Sequence, residues 1–149
     1  MSCPGNPPPD LPCTVPPDVA ARVHGFAEML AAHQPAAASA AMIAWVADAD
    51  GGYHPHRTRL FATAATVLAA GKVRDLDPVG AWWKVRVNTA QRHDVAMCQV
   101  VVRIANGEPE FADDLLAAHR TVHGLGGLFW LGVFAVRLLA DLLPEGSTP

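Results

Sequence analysis

The chain is short of charge, short of cysteine, and without an uninterrupted apolar run long enough to cross a bilayer. Charged residues are 17% of 149 positions and apolar residues 51%, a balance that fits one globular, alanine-rich helical domain. At this length the domain buries roughly two-thirds of its unfolded surface, and two ordinary domains do not fit. The three cysteines, Cys3, Cys13 and Cys98, cannot all pair. Nothing resembles a secretion signal, and no apolar segment precedes Cys3 to make it a lipid attachment site, so cytoplasmic residence is expected. Cys98 stands among apolar residues and reads as a small buried hydrophobe.

The most apolar stretch, residues 125–143, is uninterrupted for 12 residues before Arg137 and Asp141 break it. A span needs about 20, so a core helix is expected and a membrane partner is not. Turning at about 100° per residue, Trp130, Phe134, Arg137 and Asp141 share one sector. Aromatics beside a charged edge have the composition of a protein interface, or of a patch that the same chain covers.

Catalytic motifs are also missing. Gly124, Gly126 and Gly127 follow a helical pattern and not a strand, so they read as a tight interhelical turn and not a phosphate loop. No Ser or Cys nucleophile stands in a recognisable motif, so no catalytic set is assigned and the expectation leans away from an enzyme.

What is present reads as an all-α bundle of about five or six helices, with residues 1–17 as a Pro-rich extended or disordered tail and 18–149 as the domain. Seven prolines in the first 17 residues account for the tail. A first helix is expected near Asp18, where Pro16 and Pro17 suit an entry and Asp18 can cap, with Val19, Val23, Phe26 and Leu30 as its apolar stripe. Its His24 and Glu28, four apart, read as a surface pair. A second, small and apolar on nearly every side until Asp48, is expected to be largely buried and to be stopped by Gly51 and Gly52. A third, with Leu60, Phe61, Ala64, Val67 and Leu68 inward, should stop at Gly71. His54 and His56, flanking Pro55, read as residues at its start.

Residues 72–88 are ambiguous. Met97, Val101 and Ile104 continue a helix face from about residue 90, capped by Asn88 or Thr89 and ended by Asn106 and Gly107. Asp94 interrupts that face and needs a partner, either His93 or a basic side chain. The alternative is a small β-hairpin around 72–88, which would make a winged unit presenting Arg57, Arg59, Lys72, Arg74, Lys84 and Arg86 to nucleic acid. Residues 57–103 hold eight basic and three acidic groups, whereas both flanking parts are acidic. Complementarity within one fold explains that distribution as well.

Another helix opens at 108–110, with Phe111, Leu115, Leu116 and Val122 read as its apolar face. His119 and His123 lie four apart on it, and such a pair can hold two positions of a transition metal, with His93, Asp94, His24 or Glu28 as a further ligand. The residue after His119 is Arg120, where a metal hydrolase would carry a glutamate, and no Glu-x-x-His pair accompanies it. The expectation is a non-catalytic helical interaction module that self-associates or binds a protein. The alternatives are metal or cofactor binding through the His pair, and nucleic-acid binding through the basic segment.

Overall fold

In the computed structural model, residues 15–76 and 91–143 are described. They form five helices: α1 (Pro17–Ala31), α2 (Pro35–Val46), α3 (Pro55–Leu76), α4 (Arg92–Ala105) and α5 (Pro109–Leu142). Among the described residues there is no strand; one isolated bridge, Ala47 to Tyr53, closes the turn after α2. The protein is an all-α bundle.

Four of the five helices begin at a proline, whose fixed φ suits the first helical position and whose missing N–H leaves no donor wanting there. Thus Pro17, and not an Asp18 cap, opens α1. The exception is α4, where the Gln91 side chain accepts from the His93 amide at 3.0 Å. The expected caps Asn88 and Thr89 lie outside the described residues, as do residues 1–14.

Packing decides where elements end and what they bury. Gly71 does not stop α3, which runs on to Leu76; its φ is not positive, and Val73 beyond it is buried. Lys72 and Arg74 are therefore in the last turns of a helix, which corrects the first strand of the hairpin alternative. The remainder of that hairpin, residues 77–90, is outside the described residues. α2 also departs from expectation. It ends at Val46, where Asp48 Oδ1 accepts from Asp50 and Gly52 amides at 2.9 and 2.8 Å to make a turn. Only Ala38, Met42 and Val46 of α2 are buried, and Ile43 is 54% exposed. Small apolar side chains allow burial without requiring it, and α2 sits at the bundle edge against α1 and α3.

A chain of aromatic rings joins the helices. Phe26 of α1, Trp45 of α2 and Phe61 of α3 have centroids 6.0–6.2 Å apart, and Phe61 meets Phe129 of α5 at 5.6 Å. Each such pair adds about 0.5–1.5 kcal/mol beyond its buried area. Arg57 bonds the Trp45 and Ala47 carbonyls at 2.7 Å each, satisfying the open end of α2.

α5 is two helical segments, 109–123 and 125–142, bent at Gly124, where φ is 75° and ψ is −174°. That backbone strongly favours glycine. The bend brings the Gly127 backbone to His119, eight residues earlier, which along a straight helix would be about 12 Å away. The expected turn between two apolar arms is present, made at Gly124 between the two helical segments. By length and composition alone α5 could cross a membrane. Here Leu128, Leu131, Val136 and Leu139 of its second segment are core residues.

Candidate functional site

Three imidazoles meet where α4 packs on α5. His93 comes from the first turn of α4, and His119 and His123 from consecutive turns of α5 just before the bend. Ring centroids are 5.0 Å apart for His93 and His119, 5.3 Å for His93 and His123, and 4.6 Å for His119 and His123. His93 Nδ1 and His119 Nε2 share a hydrogen bond of 2.8 Å. One of the two nitrogens must carry the proton, so at least one ring is a neutral acceptor.

Gly127 makes the room. A Cβ there would run into His123 Cβ and stand 3.3 Å from His93 Cε1, so a larger residue would push the rings apart. His119 is 8% exposed. Burial, then the neighbouring His123 and His93, push its pKa down to about 4, while a hydrogen bond with the Gly127 backbone works in the opposite direction. His93 is lowered too, by burial, His123 and Arg92. Neutral imidazole is the form that ligates metals.

The rings are reached from outside. A depression of about 210 Å³ between α4 and α5 is lined by His119 and His123, with Gln99 as its polar wall and Leu115 and Val122 as apolar ones. As they stand, no group of three or more His, Cys, Asp or Glu side chains among the described residues is placed so that it could hold a metal ion. The His93–His119 hydrogen bond accounts for this in part, because two facing nitrogens are spent on each other.

Of the proposed further ligands, His93 joins the pair and Asp94 does not. Asp94 is 9% exposed, with Cys98 Sγ 4.0 Å from its Oδ1 and Arg137 as its nearby cation; burial raises its pKa and Arg137 opposes. The charge that interrupts the α4 face is thus answered by Arg137 and the Cys98 thiol. Burial and Asp94 push that thiol up to about 11. His24 and Glu28 face each other at 3.4 Å, both about half-exposed on α1. His54 Nδ1 accepts from the Arg57 amide at 3.2 Å, at the start of α3.

The expected apolar face of the 109–123 segment is corrected in part. Ala112, Leu116 and His119 are buried, whereas Phe111 and Val122 are 53% and 72% exposed. Arg103 lies 5.0 Å over the Phe111 ring, shielding it from water without a core around it. The Trp130 sector faces outward as expected: Trp130 is 48% exposed, Arg137 and Asp141 are exposed, and Arg137 lies 5.4 Å over half-buried Phe134.

Among the described residues, the basic side chains Arg57, Arg59, Lys72 and Arg74 are spread along α3 and not gathered. Arg57 is occupied at the end of α2, and Lys72 lies fifteen residues further along the same helix, about 22 Å away. Lys84 and Arg86 are outside the described residues. Sequence reasoning placed Gly127 in the interhelical turn but missed that it packs on the histidine rings, a contact that only the bend at Gly124 creates. It also missed Gln99, which carries no local signal. Compared with known families, curated proteins and solved structures, the chain matches none.

Proposed function

We propose that the protein binds one divalent transition metal of the zinc class through His93, His119 and His123. The supporting observation is the triangle of rings. A nitrogen at 2.0–2.1 Å from zinc puts an imidazole centre about 3.2 Å from it, so three tetrahedral ligands have centres about 5.2 Å apart. The triangle here has sides of 4.6, 5.0 and 5.3 Å. Binding requires the His93–His119 hydrogen bond to open, because two ligand nitrogens on a tetrahedral metal stand about 3.3 Å apart. The N–H between them moves through solvent to the other nitrogen of the donor ring, a change of tautomer that leaves both rings neutral and both facing nitrogens free to ligate. The α4–α5 depression, lined by His119 and His123, would leave room for water or a small ligand to complete the sphere.

The test is titration of untagged, chelator-treated protein with cobalt(II), read by visible absorption and calorimetry. One equivalent should bind with the spectrum of a tetrahedral site, and His119→Ala and His123→Ala should each lose it. No binding tighter than about 100 μM, or unchanged binding in both variants, would refute the proposal.

A second reading is self-association through the outward face of α5, supported by Trp130, which is 48% exposed beside Arg137 and Asp141. Light scattering should then give a dimer that Trp130→Glu converts to a monomer. A wild-type monomer at 100 μM-scale concentration excludes it.

A further inference from the structure

We infer that the cavity between α3 and the first segment of α5 is a binding site for a small amphiphilic anion, an apolar body carrying one phosphate or carboxylate. The cavity measures about 390 Å³. Small-molecule pockets run about 300–1,000 Å³, so a ligand of modest size fits and a polymer does not.

Its chemistry is divided. Leu116 and Leu128, buried to 7% and 2% exposure, supply an apolar floor. Arg59 and Thr63, one turn apart on α3, and Arg120 on α5 supply donors. Among the described residues, neither Arg59 nor Arg120 makes a hydrogen bond or an ion pair within 4.0 Å. Arginines on a pocket wall with open donor edges suit the planar, multi-oxygen face of a carboxylate or phosphate.

Asp113 is the lining carboxylate. Burial raises its pKa, Arg59 opposes this, and Asp114 and Glu110 add to the rise. The lining holds two cations and one carboxylate, with Asp114 and Glu110 near enough to act on Asp113, so the two guanidinium groups and not a net positive charge would hold the anion. Asp113 can accept from a hydroxyl or amine on the ligand body.

The bend at Gly124 contributes, because Leu116 and Leu128 lie twelve residues apart and meet in one cavity only when α5 folds on itself. At about 100° per residue, Asp113, Ala117 and Arg120 lie half a turn from Ala118 and Val122 of the other depression. The inference is therefore independent of the metal proposal.

Calorimetry on the full chain at low ionic strength, with chelator present, tests it using phenyl phosphate, benzoate, inorganic phosphate and phenol. Phenyl phosphate or benzoate should bind one-to-one, at least about fivefold tighter than inorganic phosphate, which lacks the apolar body. Phenol, which lacks the charge, should bind at least about tenfold more weakly than the better anion. Arg59→Gln and Arg120→Gln, with circular dichroism unchanged, should each weaken that anion about tenfold. The inference is overturned if neither aromatic anion binds below about 10 mM, if phenol binds as well, or if inorganic phosphate binds equally. Full retention of binding in the double variant would overturn it as well.

Discussion

Lowering the pH from 7.5 to 4.5 should destabilise the metal-free protein by about 2 kcal/mol through His119 alone. Folding lowers this imidazole from 6.5 to about 4, with burial as the largest cause. Between those values the unfolded chain holds the proton and the folded chain does not. Stability therefore rises with pH in that window, and it is lost as the pH falls from 6.5 towards about 4. Linkage for one such group gives about 2.6 kcal/mol by pH 4.5, and screening through the open α4–α5 depression reduces this to about 2. His93, also lowered, adds in the same direction. Asp94 and Asp113, raised by burial, act oppositely, because the folded chain holds their protons more tightly and acid relieves them.

The contribution of His119 is isolated by comparison with His119→Gln, whose amide can still pair with His93. Urea unfolding followed by circular dichroism at pH 7.5, 6.5, 5.5 and 4.5, with chelator throughout, measures both proteins. The gap between the two curves should narrow by about 2 kcal/mol from pH 7.5 to 4.5. Parallel curves would refute the buried, neutral state of His119.

Gly127→Ala should cost about 1–3 kcal/mol in urea unfolding, because the new methyl runs into His123 Cβ, and it should abolish cobalt binding. Gly132→Ala should cost a similar amount, about 1–3 kcal/mol, while leaving cobalt binding intact: its Cβ would come 2.5 Å from the Phe61 ring, away from the histidines. Arg57→Ala should lose about 2 kcal/mol of stability in the same assay, since it removes two 2.7 Å bonds to carbonyls at the end of α2. Cys98, 5% exposed and with its thiol pushed up to about 11, should resist alkylation at pH 8 until the chain is unfolded, as peptide mass mapping would report.

Much of the local structure was legible from the residues. The stripes Val19–Val23–Phe26, Phe61–Ala64–Val67 and Met97–Val101–Ile104 are buried as their spacing predicts, because a helix face that must meet a core repeats every three or four residues. Asn106 and Gly107 end α4, with Gly107 at φ 76°. Errors arose where composition stands in for packing. Ala-rich α2 reads as buried from its side chains, yet what it touches depends on its place at the edge. Gly71 reads as a stop, yet a glycine can sit inside a helix for about 1 kcal/mol when neighbouring burial supports it.

The sequence by itself determined the helical class, the proline entry to the first helix and the HxxxH pair, since each depends on interactions within a few residues of the chain. It also marked the apolar arm after Gly124 as core, and Trp130 as lying on its outward sector. Only the tertiary structure decided that His93, and not Asp94 or His24, completes the cluster, because adjacent residues on a helix point in different directions and α4 must first dock on α5. The glycines marked a turn near Gly124, but what that turn brings together was beyond local reading. One positive φ folds the arm of residues 125–142 back, closing Gly127 on the histidines and Leu128 on the arginine-lined cavity.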